Sequence, residues 1–363
     1  MYDLEEGSKP VRFALYQLHE HVEDFAFILG VQKRTFRDQD PVNIEASELM
    51  GTLHDALKAA GYEGHNLERF LVRLLFCLFS DDTGIFEPRD TFFALITQRT
   101  NPDGSDTGLW LSQLFQVLNT PLERRQHSLD EDLSQFPYIN GDLFQEQLTF
   151  PPFNASMRGL LLDALDFSWD AISPAIFGSL FQSVMDKKER RSQGSHYTTE
   201  KNILKVIEPL FLDDLRIEFG RLKDRRDSGR RNAMEVFHKK LAALRFFDPA
   251  CGCGNFLIIS YRELRLLEIE LLKALRRDGQ LVLDVAKLSQ IDVDQFYGTE
   301  LGELAVRIAE VALWMMDYIM NNRLSLEFGE SYRRIPLTKA PHIRHADALE
   351  TDWADLIAPE TCS

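Results

Sequence analysis

The sequence predicts an α plus α/β protein: an all-helical N-terminal half over residues 1–185 and, over 186–363, an α/β half built on an open parallel sheet wound with helices. Three observations lead to this division. Through the first half, apolar residues recur at three- and four-residue spacing, the signature of packed amphipathic helices. Beyond Leu241 short apolar strands alternate with long helical stretches, as in βαβ units. Between the two lies the charged segment DKKERRSQGSH at 186–196, the expected boundary. A chain of 363 residues, at roughly 150 residues per domain, also has room for two units with real cores.

Hydrophobic residues at 44% and charged residues at 27% exclude collagenous, disordered and disulfide-dense classes. Apolar runs such as Leu74–Phe79 fall far short of the roughly 20 residues a membrane helix needs, so no membrane association is expected. The N-terminus MYDLEEGSKP is acidic and unlike a signal peptide, which points to the cytoplasm. With 41 basic and 57 acidic residues the net charge is −16, so any nucleic-acid contact must be local or made by parts outside this chain. Four cysteines form neither a disulfide framework nor a paired zinc pattern, no metal site is expected, and Cys77 within LLFCLF reads as a core residue.

In the helical half the stripe Leu67, Phe70, Leu71, Leu74, Leu75, Leu78 exemplifies the period, which continues to Phe177, Leu180, Phe181 and Val184. Turns are expected at DQDP (38–41), DDTG (81–84) and NPDGSD (101–106). FPPF at 150–153 resembles a catalytic Asn-Pro-Pro loop, but Phe150 has no amide, and a Pro-Pro turn between helices is the better reading. Asp186 and Lys188 have a nuclease-like D-x-K spacing, yet a solvated helix end explains them more simply. The basic stretch RLKDRRDSGRR at 221–231 is read the same way.

The chemistry is concentrated after Leu241. LAALRFFDPACGCGNFLIIS reads as a strand, a glycine turn and the start of a long helix. Gly252 and Gly254 let the backbone approach a ligand, and free N–H groups at the helix start after Asn255 attract a carboxylate or phosphate. Asp248 stands ahead of the turn. Glu300 closes the strand FYGTE, where a carboxylate can accept both ribose hydroxyls of an adenosine. Asp347 in HIRHADAL closes a third strand-like stretch. Singly, each acid could be a helix cap or a surface residue; three at successive strand ends point to one pocket.

These segments resemble the class I S-adenosylmethionine-dependent methyltransferases, and among them the DNA adenine-N6 enzymes. The similarity is strongest to the MmeI-like type IIL restriction-modification proteins. It rests on GSHYTTE (194–200), DPACGCGNFL (248–257), YGTEL (297–301), RIAEVALWMMD (307–317) and IPLTKAPHIRHADAL (335–349), with LVRLLFCLFSDDTGIFE and SPAIFGSLFQSVMDKKERR in the helical half. The resemblance implies a helical spacer over 1–185 and an incomplete class I (Rossmann-like) methyltransferase sheet over 186–363. It also implies S-adenosylmethionine as cofactor, with His196, Tyr197 and Thr198 at its methionine end. Asp248, Ala250, Gly252 and Gly254 would form the loop around it, with Asn255 and Phe256 opening the helix. Glu300 would hold the ribose, Leu301 would lie beside the adenine, and Asp347 with Ala348 would read the adenine amino edge. Asp248 and Glu300 are 52 residues apart, more than the about 20 of a dinucleotide fold; a longer first helix and the insertion DGQLVLDVAKLSQIDVDQ account for it.

The family carries out its chemistry on an N-P-P-[FY] loop that follows the fourth strand and holds a flipped adenine. No such loop occurs here, so no catalytic residue is assigned. The expectation is an excised fragment, inactive alone, whose parent binds duplex DNA through a missing recognition domain and carries a nuclease in cis. Three rivals remain. A nicotinamide or flavin oxidoreductase would share the loop but needs a third glycine. An amino-methyltransferase acting on protein or small molecules would lack the large helical half. A non-catalytic scaffold linking nuclease and methyltransferase would need only that half.

Overall fold

The computed structural model describes residues 40–139, 142–149, 153–172, 175, 200–277, 289–328 and 341–357. The expected boundary at 185/186, the FPP of FPPF, and Asp186 with Lys188 lie outside the described residues.

The helical half contains α1 (Asp40–Ala59), α2 (His65–Thr83), α3 (Thr91–Arg99), α4 (Thr107–Leu118), the short α5 (Glu131–Ser134) and α6 (Ala155–Leu165). Its axle is α2, buried at every position from Phe70 to Asp81. A helix that is apolar all round must be covered on every side, and α1, α3 and a long helix of the second half do this. Phenylalanine fills the spaces between them: Phe70 meets Phe115 at 6.1 Å and Phe153 at 6.2 Å, and Phe76 meets Phe144 at 5.7 Å. Cys77 is fully buried among them. Phe153, the last residue of FPPF, is thus a core side chain.

A guanidinium is also buried here. Arg73 donates from Nε to the Leu143 carbonyl (2.7 Å) and from Nη2 to the Glu146 carbonyl (2.8 Å), between the rings of Phe115 and Phe144 at 5.6 Å. Burial pushes its pKa down to about 10.

DDTG differs from expectation. Helix α2 runs on through Asp81, Asp82 and Thr83, and only Gly84, at φ 80°, ends it. The acids stay helical because their carboxylates cap other elements. Asp81 accepts from Phe92 N (2.8 Å) and Phe93 N (2.9 Å), the free donors at the start of α3, and Asp82 accepts from Trp169 N. Burial raises Asp81 to about 6 and Asp82 to about 7, against lowering by those same backbone donors. NPDGSD is the turn expected: Asn101 N donates to Asp106 Oδ1 at 2.8 Å and Gly104 has φ 77°.

The second half opens with α7 (Glu200–Ile207), a π-helical turn (Glu208–Leu212), α8 (Asp213–Asp224) and α9 (Arg230–Ala243). The basic stretch 221–231 is the α8–α9 connection, where Arg225 pairs with Asp227 at 2.8 Å. Then come β1 (Phe246–Asp248), α10 (Asn255–Arg277), β2 (Phe296–Glu300), α11 (Glu303–Phe328) and β3 (His342–His345). The three strands are parallel in the order β1-β2-β3, with Asp248 opposite Gly298 and Glu300 opposite His345. Phe246 stacks on Phe296 at 5.1 Å, and Tyr261 of α10 meets Phe296 edge-on at 5.4 Å.

Between α10 and α11 lies a charged core that the apolar period of α10 does not announce. Arg265 has no exposed surface; it donates to Tyr261 Oη (2.6 Å), Asp317 Oδ1 (3.1 Å) and Asn321 Oδ1 (2.8 Å), and pairs with Glu268 at 3.2 Å. Glu268 also accepts from Ser289 Oγ (2.8 Å), Gln290 N (2.7 Å) and Ile291 N (3.2 Å), and is bonded to His238 at 2.7 Å. Burial would raise its carboxyl, but His238 and Arg265 hold it below the usual range. The halves meet along α11, where Tyr318 Oη donates to the Thr83 carbonyl (3.2 Å) and Arg69 pairs with Glu303.

Arg265→Met leaves Asp317 buried without its cation and Glu268 with His238 alone, so chemical denaturation should show a loss of about 3–5 kcal/mol, partly recovered by adding Asp317→Asn. For Asp82 the folded pKa lies above the ordinary 3.8, so the protonated form is favoured by folding and its stabilisation is lost as pH rises through about 7. Asp82→Asn should therefore lose less thermal stability than the parent between pH 5 and pH 8, read as a smaller drop in melting midpoint.

Candidate functional site

The loop that leaves β1 turns back over the tip of β2. Thr299 Oγ1 donates to the Pro249 carbonyl (2.6 Å), Cys251 N donates to the Thr299 carbonyl (3.0 Å), and Gly252 N donates to Glu300 Oε2 (2.9 Å). Asp248 accepts from Ala250 N at 3.1 Å. The other Glu300 oxygen accepts from Gly302 N at 3.0 Å, so one carboxylate bridges the glycine loop and the approach to α11.

The two glycines have different reasons to be glycine. Gly252 has φ 55°, and a side chain there would meet nothing within 4 Å, so its face is open. Gly254, at φ 80°, lies against α11, where a Cβ would come within 2.8 Å of Ala309 Cβ. The first leaves space for a ligand; the second lets the loop seat on the helix behind it. Helix α10 then starts at Asn255, presenting free N–H groups near the same turn. Asn255 Oδ1 is buried and has no hydrogen-bond partner among the described residues.

The acids collect at one sheet edge. Asp248 is raised by burial first and by the nearby Glu300 charge, against lowering by Ala250 N. Asp347 stands two residues beyond the end of β3 rather than on the strand, and its Oδ1 accepts from Leu349 N at 2.9 Å. Its strand is held to the Glu300 tip through Ala346 N, which donates to the Glu300 carbonyl at 3.0 Å. Ala348 closes the same turn and accepts from Trp353 Nε1 at 2.8 Å. Leu301, 67% exposed, projects from the edge next to Glu300. Phe256 is partly buried against the core. His196, Tyr197 and Thr198 lie outside the described residues; Glu200, which follows them, pairs with Arg262 of α10 at 2.8 Å.

The nearby thiols are not poised for nucleophilic chemistry. Burial and the surrounding carboxylates raise Cys251, and the same causes push Cys253 up to about 12. Among the described residues no group of three or more His, Cys, Asp or Glu is arranged to hold a metal, and no helix is long and apolar enough to cross a membrane. Reading the sequence alone passed over Thr299. The signal in the sequence is its place next to Glu300 at the end of the strand FYGTE.

Three family models match segments of the chain. Residues 223–363 match the MmeI DNA-methyltransferase domain, 65–144 the MmeI helicase spacer domain and 1–60 the MmeI N-terminal domain. A solved structure of the type IIL restriction-modification enzyme MmeI in complex with DNA matches with a TM-score of 0.80 and 56% identity, over 88% of this chain and 42% of that one. The chain belongs to the MmeI family. Another relative of this MmeI-family chain, DNA methyltransferase A of Bacillus subtilis (strain 168), is 36% identical over 345 residues, 94% of this chain and 38% of that protein. The chain thus spans about two-fifths of the length of these relatives. The stretch from Asp248 to Ala348 falls within the part matched to the MmeI methyltransferase domain.

Gly254→Ala should lower the melting midpoint more than Gly252→Ala. Both residues strain a left-handed backbone, at about 1–2 kcal/mol each, but only the first adds a collision with α11. Equal losses in a thermal melt would show that the loop does not seat on α11 as described.

Proposed function

We propose that this chain forms the cofactor-binding part of a restriction-modification DNA methyltransferase that transfers a methyl group from S-adenosylmethionine to adenine N6 in duplex DNA. The observation that carries the reading is the glycine loop clipped to the Glu300 tip, in a segment with the MmeI methyltransferase match. The three parallel strands are read as one side of a class I methyltransferase sheet, with the helical segment matched to the MmeI spacer domain, 65–144, as the spacer that precedes it. Duplex DNA, a recognition domain and a nuclease in cis belong to the proposal for the whole protein, and a cytoplasmic location follows from that role.

The residues present fit the cofactor. Gly252 leaves room on the open side of the loop, and Asn255 Oδ1 supplies an acceptor without a protein partner among the described residues. Glu300 faces the loop with a carboxylate able to accept ribose hydroxyls, and Asp347 with Ala348 forms the neighbouring edge for an adenine amino group. Free N–H groups at the start of α10 favour the methionine carboxylate, with His196, Tyr197 and Thr198 assigned to the same end. When bound, the cofactor supplies an electrophilic methyl on a sulfonium. The protein's share is to hold it in place and align it by fixed hydrogen bonds, for which it needs no nucleophile of its own. The chain contains no N-P-P-[FY] sequence to present adenine, so by itself it binds without turnover.

Calorimetric titration with S-adenosylmethionine should give saturable binding while NAD gives none, and Glu300→Ala should weaken the first by about tenfold or more, as expected for losing a charged hydrogen-bond acceptor. Binding of NAD instead would overturn the cofactor reading, and methylation of DNA by the isolated chain would overturn the expectation that it binds without turnover.

A further inference from the structure

Thr299 makes a contact that the roles assigned above do not use. It is fully buried at the tip of β2, and its hydroxyl donates to the Pro249 carbonyl at 2.6 Å. That carbonyl and the N–H of Ala250 belong to one peptide plane. The N–H donates to Asp248 Oδ1 at 3.1 Å, so the plane is held at both ends, by a strand tip on one side and by a pocket acid on the other. The next donor, Cys251 N, is taken by the Thr299 carbonyl at 3.0 Å, and the one after, Gly252 N, by Glu300 at 2.9 Å. The loop lies against β2 closely enough that a Cβ on Gly298 would come within 2.9 Å of Cys251 Sγ. Three successive peptide units are thereby oriented before any ligand arrives, and the Thr299 hydroxyl holds the first of them.

We propose that Thr299 is a positioning residue for the cofactor: its hydroxyl sets the rotation of the Pro249–Ala250 peptide, and through it the direction of the Asp248 carboxylate and of the loop N–H groups. The inference rests on the cofactor reading above. A hydroxyl is needed because valine, of similar shape, would leave the Pro249 carbonyl facing a methyl group, and that carbonyl would turn away to find another donor.

The test compares Thr299→Val with Thr299→Ser by hydrogen–deuterium exchange and by calorimetry. In T299V, exchange across residues 250–255 should rise several-fold while the α2 peptide 67–79 stays as in the parent, and S-adenosylmethionine affinity should fall about tenfold. T299S keeps the hydroxyl and should remain within about threefold of the parent in both. Parental behaviour of T299V in either measurement overturns the proposal. Should T299V not fold, Thr299→Ala carries the same expectation, and if both unfold the hydroxyl serves stability alone and the proposal fails. If the parent chain binds no S-adenosylmethionine, the cofactor reading falls, while the exchange comparison still decides whether Thr299 orients the loop.

Discussion

The structure of the α/β half hangs on a positive charge that water cannot reach. Arg265 has no exposed surface, and a buried guanidinium is tolerable only when each side of its fork finds an acceptor. Its terminal nitrogens find them on both helices, Tyr261 on its own and Asp317 with Asn321 on α11, while Glu268 on its own helix supplies a counter-charge at 3.2 Å. Satisfying it fixes the separation, rotation and register of the two crossover helices at once. Glu268 extends the constraint to the backbone of Gln290 and Ile291, just ahead of β2, and to His238 on α9. The strand carrying Glu300 therefore leaves a segment whose place is set by hydrogen bonds to a buried carboxylate, which are directional, where apolar packing alone would tolerate sliding.

That rigidity carries over to the strand tips. A glycine loop is flexible by composition, and each rotor frozen on binding costs affinity. Here the loop is fastened in advance to a strand tip by backbone and side-chain donors, and the strand is fastened to the helices by the charged core. Glu300 is central to that fastening: one of its oxygens accepts from Gly252 N and the other from Gly302 N.

Much of this was legible in the residues. The three-and-four spacing around Leu67–Leu78 gave the axle helix, and the change of pattern near Leu241 gave the sheet. The grouping of Asp248, Glu300 and Asp347 followed from the rule that parallel strands bring their carboxyl ends to one edge. What stayed hidden has a common physical cause: residues whose partners are distant in the chain. DDTG looked like a turn because Asp and Gly favour turns locally, yet Asp81 caps α3 eleven residues on and Asp82 caps Trp169, and those long-range bonds keep the acids helical. Arg265 and Glu268 are charged residues in the helix after the glycine turn, and the packing of α11 against that helix makes their face interior. Thr299 was unremarked since nothing in its neighbours along the chain signals a carbonyl fifty residues earlier.

The longest helix makes the two halves a single mechanical object. Helix α11 has 26 residues, so at about 1.5 Å per residue it extends roughly 39 Å. Its first turn sits beside the Glu300 carboxylate and pairs with Arg69, and its middle touches the end of α2 through Tyr318. A stiff rod pinned at both places couples its two ends: the bearing of the Glu300 tip is set by where the bundle holds the helix.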